Sequence, residues 1–273
     1  MSGKSTRAIL LALVVSAAAF SAQIQAQSLR PDETSAGVLD GQSKPGGDEF
    51  SRLLARLRSE SPEDRRQAID GLAETGDKRA VDPLIALLKD PAGDIRAAAA
   101  NALGQLGDKR AVDPLVAILG SDSTEFVRGA AARVLGQLGD RKAVEPLLAA
   151  LKDPSSSVCA SVAMGLGLLK DERAVPSLLR EIRNDAPDVR AAVATALGDI
   201  RDRRAVDQLM LSLADEYKHD DSKIVKVSIA LALSDLGDKR GLAALNAAIA
   251  LEKDEETKTQ MKEALKRLSA SPD

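Results

Sequence analysis

Over residues 109–139 the apolar positions fall into two helical series separated by a short polar break. Ala111, Val112, Leu115, Val116, Ile118 and Leu119 recur at the three-and-four spacing of one wide helical face. Val127, Ala130, Ala131, Val134, Leu135 and Leu138 make a second such face. Pro114 lies in the first turn of the first series, where a missing N–H is harmless and a fixed φ helps the helix start. A helix is therefore expected over residues 110–119, with Gly120 ending it. Ser121, Asp122, Ser123 and Thr124 carry the short oxygen-bearing side chains of a turn and an N-cap. Gly139 suits the left-handed position that closes a second helix. The stretch predicts a hairpin of two short antiparallel helices.

The hairpin recurs. "GDKRAVDPL" stands at residues 76–84 and again, unchanged, at 107–115, and is echoed by "GDRKAVEPL" at 139–147, "KDERAVPSL" at 170–178, "RDRRAVDQL" at 201–209 and "GDKRGLAAL" at 237–245. Its second residue, Asp77, Asp108, Asp140, Asp171, Asp202 and Asp238, advances in steps of 31, 32, 31, 31 and 36. A period in this range marks a unit that buries its apolar face only by stacking on its neighbours. The expected fold is all-α: a right-handed α-solenoid, or superhelix, of about seven hairpins over residues 49–269. Small residues such as "AAAANALG" at 97–104 let helix axes approach closely. At the ends, Asp64 and Arg66 stand where the next unit has Ile95 and Ala97, and the last helix places Met261, Ala264, Leu265 and Leu268 on one side. Both ends read as caps on a one-dimensional core.

Outside the repeats the pattern changes. Residues 1–26 combine Lys4 and Arg7, a thirteen-residue apolar or small run over 8–20 and a polar stretch ending in Ala26, the layout of a secretory signal peptide too short to be a comfortable membrane span. Cleavage is expected after Ala26, with a periplasmic or extracellular destination and no membrane span in the mature chain. Residues 27–48 hold two prolines and four glycines and read as a flexible linker. Residues 270–273 read as a disordered tail. Without the leader, 36 Lys and Arg face 41 Asp and Glu, interleaved, and the whole chain has no Trp, one Tyr and three Phe. Neither a phosphate-binding stripe nor base-stacking platforms are provided, so nucleic acid is not an expected partner. Cys159 is the only cysteine and excludes an intrachain disulfide framework.

The segment "DIRAAAANALGQLGDKRAVDPLVAIL" at 94–119 resembles the short HEAT-like repeat of the phycobilin-lyase type, and the resemblance extends over about residues 48–269. It implies a polar ladder in which a turn acid and a basic residue six positions on bond between repeats. Asp90 with Arg96 and Asp122 with Arg128 match it, and Asn184 with Arg190 and Asp220 with Lys226 are softened versions. The role so implied is structural, hydrogen bonding to the backbone of the turns. The same resemblance carries an alternative activity, that of a bilin lyase or chaperone acting on a partner's prosthetic group, which conflicts with an export leader. Deoxyhypusine hydroxylases, a related repeat class, hold iron with repeated His-Glu pairs; His219 is the only histidine here, so that chemistry does not carry over.

No catalytic residue, cofactor or metal ligand is expected. His219 lies in "LADEYKHDDSK" at 213–223, the insertion behind the step of 36. Its Asp215, Glu216, Asp220 and Asp221 are oxygen-rich, but the spacing fits no calcium loop and the segment reads as a solvated charged turn. "GQLGDK" at 104–109 ends a helix and lacks phosphate-loop spacing.

Binding remains. If the second helix of each pair lines the inner face, the fifth and ninth residues after the ladder position can be compared across repeats. They are Asp70 and Glu74, Asn101 and Gln105, Arg133 and Gln137, Met164 and Leu168, Thr195 and Asp199, Leu231 and Asp235. Only Met164 and Leu168 are apolar at both, in the repeat where Cys159 takes the ladder position held by Arg128 and Arg190. Phe126 opens the second helix of the repeat before. The expected protein-binding surface comprises Phe126, Arg133, Gln137, Met164 and Leu168, unless a small rotation buries Met164 and Leu168 in the core. The reading is an exported, monomeric, non-enzymatic scaffold; a spacer without a specific ligand is the plainest alternative. N-terminal sequencing of protein recovered from outside the cytoplasm checks the export expectation. The mature chain should begin at Gln27, and recovery of the intact Met1 form alone, in the cytosol, would overturn it.

Overall fold

Each copy of the nine-residue motif is a corner between two helices. The computed structural model describes residues 45–219 and 222–272. Gly76, Gly107, Gly139 and Gly237 take φ of 64–66°, the left-handed geometry that ends a helix. The Asp that follows caps a 3₁₀ turn, as where Asp77 Oδ1 accepts the Arg79 N–H at 2.9 Å and Asp108 Oδ1 the Arg110 N–H at 3.0 Å. Side-chain bonds from Arg173 draw the Asp171 carboxyl down to about 2, with burial opposing them. The motif's Ala, Val and final Leu, such as Ala111, Val112 and Leu115, are buried.

Among the described residues these corners join fourteen α-helices, and no strand is present. They form seven pairs: α1 Pro45–Arg56 with α2 Pro62–Thr75, α3 Val81–Ala86 with α4 Gly93–Leu106, α5 Val112–Ser121 with α6 Glu125–Leu138, α7 Val144–Ala150 with α8 Ser156–Leu169, α9 Val175–Glu181 with α10 Pro187–Ile200, α11 Val206–His219 with α12 Lys223–Leu236, and α13 Gly241–Leu251 with α14 Glu255–Ala270. The result is the expected α-solenoid. One continuous core of Leu, Val, Ile and Ala runs through all seven pairs. A fully buried Leu, such as Leu115, Leu135 or Leu166, contributes about 1.5–3 kcal/mol, which lets the array manage with few aromatic residues, Phe50 in the core and Tyr217 packed against it.

Several boundaries differ from the sequence reading. Helix α1 opens at Pro45, so residues 45–48, assigned to the linker, are helical, and Ala270 belongs to α14 rather than to a tail. Gly120 does not end α5, which continues through Ser121 to an Asp122 C-cap, while the 3₁₀ turn Lys109–Ala111 precedes it. The insertion is not a charged turn as far as His219: residues 213–219 extend α11 to 14 residues, twice the length of α7 or α9. Its charged groups have tertiary partners, Asp215 with Arg183 and Glu216 with Arg190. The leader, residues 27–44 of the linker, Asp220, Asp221 and Asp273 lie outside the described residues.

The second helices stack closely. A Cβ added to Gly136 in α6 would stand 2.6 Å from the Gly165 Cα of α8, and one added to Gly165 would stand 2.6 Å from the Ala132 carbonyl oxygen. Only glycine fits such an approach. The first helices meet each other much less extensively, so the stack closes more tightly on the side of α4, α6, α8, α10 and α12.

The ladder ties the same helices together, with its partners displaced by one repeat. Arg96 Nη1 donates to its own turn, the Asp90 carbonyl, at 2.9 Å, while Nε reaches the next turn's Asp122 carboxylate at 2.6 Å. Arg128 repeats this with the Asp122 carbonyl at 2.9 Å and the Asp153 carboxylate at 2.7 Å. Arg65 pairs with Asp90, Arg190 with Glu216 and Lys226 with Glu252. Within one turn, then, Asp90 and Arg96 meet through the backbone, as do Asp122 and Arg128, and each carboxylate serves the previous repeat's cation. Arg96 and Arg128 hold Asp122 and Asp153 below the usual carboxylate range, against burial. Burial also works against the Glu252 carboxylate, yet the Asp254 N–H, the Lys226 ammonium and the Tyr217 hydroxyl keep it at about 2. In α14 the buried Met261, Ala264 and Leu268 face the array and Lys262, Glu263 and Lys266 face solvent, an end cap. At the other end Asp64 accepts from Arg56 and Ser59.

Asp153→Ala leaves the largely buried Arg128 guanidinium without its carboxylate, and a loss of about 3 kcal/mol in urea unfolding is expected. Arg128→Met combined with Asp153→Asn, which removes both charges, should recover most of it. A loss below about 0.5 kcal/mol for the single variant, the size of an ordinary surface change, would contradict this role.

Candidate functional site

Helix α8 presents Ser157, Ser161, Met164 and Leu168 in one stripe at spacings of four, three and four. The Ser161 hydroxyl turns back to the Ser157 carbonyl at 2.9 Å, leaving the distal half of the stripe apolar. Met164 and Leu168 are 40% and 48% exposed, so the rotation that would have buried them does not occur. On either side the equivalent residues are polar: Arg133 and Gln137 on α6, Thr195 and Asp199 on α10. An apolar centre within a polar frame is the composition of a protein contact surface.

Arg133 and Gln137 therefore lie beside Met164 and Leu168, in the same two rows one helix away. Arg133 is held by Asn101, whose Oδ1 accepts from Nη2 at 2.8 Å, and Gln137 is exposed. Phe126 is not brought to this patch. It is 53% exposed at the start of α6, with Cζ 3.3 Å from where a Gly93 Cβ would stand, over the preceding repeat. Seven residues of helix, about 10 Å, separate it from the Arg133 row. Leu211, Ile224 and Leu251 are further exposed apolar residues, each on a different helix, that the row comparison did not reach.

At the start of α8 the ladder changes chemistry. The Cys159 Sγ donates to the Leu151 and Asp153 carbonyls, both at 3.2 Å, so it serves its own turn as Arg96 and Arg128 serve theirs, but it does not extend to the next repeat. The residue it would have met there is Asn184, not an acid. Asn184 Oδ1 still accepts the Ala186 N–H at 3.0 Å, as Asp153 Oδ1 accepts the Ser155 N–H at 2.9 Å. A cation and its carboxylate are thus missing together, and no buried charge is left alone. Burial, then the nearby Asp153 and Glu181 charges, pushes the Cys159 thiol up, which keeps it an S–H donor rather than a nucleophile. The Asp199 side chain stays exposed, yet partial desolvation raises its carboxyl, with Asp235 adding to the effect and Lys170 and Arg201 opposing it.

Among the described residues no group of three or more His, Cys, Asp or Glu side chains is arranged to hold a metal, and no helix is long and apolar enough to cross a membrane. The ladder acids Asp153, Glu216 and Glu252, and the first cation Arg65, were missed in the sequence. Pairing each basic residue with the next turn, rather than its own, would have found them.

Known proteins agree with this architecture. The family described as HEAT repeats matches residues 50–136, 127–188, 144–218 and 178–266. Similar solved structures include the complex of CpcE and CpcF of phycocyanin lyase from a Nostoc species, 21% identical, with a TM-score of 0.54 and coverage of 87% of this chain and 100% of that one. An archaeal HEAT-like repeats protein from Thermococcus onnurineus is 14% identical, with a TM-score of 0.53 and coverage of 81% and 97%. A search of curated proteins returned no match. At these identities the likeness is one of fold. The corner motif, the paired helices and the family match over most of the length agree, and the chain belongs to the HEAT-repeat family.

Proposed function

We propose that the chain is exported to a periplasmic or extracellular site and acts there, without catalysing a reaction, as a scaffold that binds a protein partner on its concave face. The observation that carries this reading is the exposure of Met164 and Leu168 at the two inner-row positions that are polar in most other repeats. Exposed apolar side chains framed by Arg133, Gln137, Thr195 and Asp199 lose water on contact while their surroundings supply hydrogen bonds. The alternative, a lyase or chaperone toward a partner's prosthetic group, shares the fold and is separated by absorbance spectra on mixing with a tetrapyrrole.

The test is in-situ crosslinking followed by capture of the crosslinked partner, with Met164→Glu/Leu168→Glu as the variant. Because both side chains are exposed, helicity should persist and stability should change by about 0.5 kcal/mol, while capture is lost. Undiminished capture by the folded double variant would remove the patch as the binding site.

A further inference from the structure

The inner rows end at a cleft of a different character. Where α10, α12 and α14 finish, a cleft of about 310 Å³ is lined by Arg201, Arg203, Ser234, Asp235 and Arg267, with Gly237, Ser271 and Pro272 at its edge. Asp235 Oδ1 accepts from Arg267 Nη2 at 2.8 Å. The Arg201 and Arg203 guanidinium groups make no hydrogen bond or ion pair with a described residue, although Asp199 stands near the first and Asp238 near the second. Three guanidinium groups and one carboxylate line the cleft, and Asp199 and Asp238 just outside it offset part of the positive charge.

Two of these residues depart from the repeat in ways that packing does not require. Arg201 takes φ of 61° at the helix-ending position where Gly76, Gly107, Gly139 and Gly237 stand, and Lys170, at φ of 50°, is the other side chain held there. A side chain there strains the backbone, and glycine would relieve it. Ser234 occupies the position of Gly104, Gly136, Gly167 and Gly198 in earlier repeats. It is only 6% exposed, lines the cleft, and its hydroxyl has no hydrogen-bond partner among the described residues. The hydroxyl itself is not sealed from solvent, so it opens on the cleft and is free to donate there.

We propose that this cleft binds a phosphate monoester dianion. The Arg201 and Arg203 forks donate to its oxygens, the Ser234 hydroxyl donates a further bond, and Arg267 contributes charge while remaining paired with Asp235. Guanidinium forks match phosphate oxygens in geometry, and the lining carries three cations to one acid. The cleft shares no residue with the Met164 and Leu168 patch on α8, although α10 borders both.

Calorimetric titration of the mature chain at constant ionic strength, with phenyl phosphate, inorganic phosphate and acetate as probes, tests it. Saturable one-site binding of phenyl phosphate, at least as tight as that of inorganic phosphate, is expected, with none for acetate. Arg201→Gly/Arg203→Glu should weaken it by at least about tenfold. Both substitutions install residues that equivalent positions already carry, Gly139 and Glu172 among them, so the fold should persist. Arg203→Lys, the residue type of Lys78 and Lys109, keeps the charge but not the fork and should weaken binding less. No saturable phenyl phosphate binding, binding of inorganic phosphate alone, or full binding by either folded variant would overturn the proposal. Partner capture at the α8 patch is unaffected by any of these outcomes.

Discussion

A stack of short helical pairs must satisfy the polar groups of every turn it buries, and a single side chain per repeat meets most of that demand here. Arg96 and Arg128 each bond the carbonyl of their own turn and the carboxylate of the next, so one residue closes one hairpin and registers the following one. The carboxylate also accepts the N–H two residues on, as Asp122 does from Thr124, which fixes the turn in which it sits. Charge-assisted bonds of this kind are strong because both partners are ionised and shielded from water. They add direction to a core that is otherwise a set of interchangeable Leu, Val and Ala contacts.

Curvature and site follow from the same helices. Gly136 and Gly165 let α6 and α8 come within backbone contact, and the tight side of the stack becomes the inner face. Residues that point away from the core there are displayed in rows, one per repeat, with spacing set by helix packing at about 8–10 Å. Function can therefore be written by substitution in single rows without disturbing the fold. Met164 and Leu168 change the rows from polar to apolar in the middle, and beside the end of the rows Arg201, Ser234 and Arg267 line a cleft.

Much of this was legible in the sequence because a repeat states the same local rule several times. The Gly-Asp corner, the buried Ala-Val and the two helices per unit follow from backbone preference and apolar spacing alone, as the Gly139 cap and the Asp108 N-cap illustrate. What was not legible depends on tertiary partners. Residues 213–219 look like a charged loop in isolation, but Glu216 is drawn to Arg190 and Tyr217 to Glu252, and those contacts hold α11 helical. Asp122 was matched to Arg128 by proximity in sequence, whereas the carboxylate faces Arg96 of the repeat before. Rarity of aromatics points Phe126 toward the patch, whereas packing over Gly93 sets it apart. Exposure of Met164 turned on the rotation of one helix, which no single-chain pattern resolves.

The account rests on the claim that each ladder cation couples its turn to the next repeat, and that Cys159 with Asn184 is a matched loss of one such coupling. A double-mutant cycle of Cys159→Arg and Asn184→Asp, measured by urea unfolding, addresses it directly. The account predicts that the pair is more stable than the sum of the single variants by about 0.5–3 kcal/mol, because only together do they rebuild the bond between turns. Strict additivity of the two substitutions would contradict it.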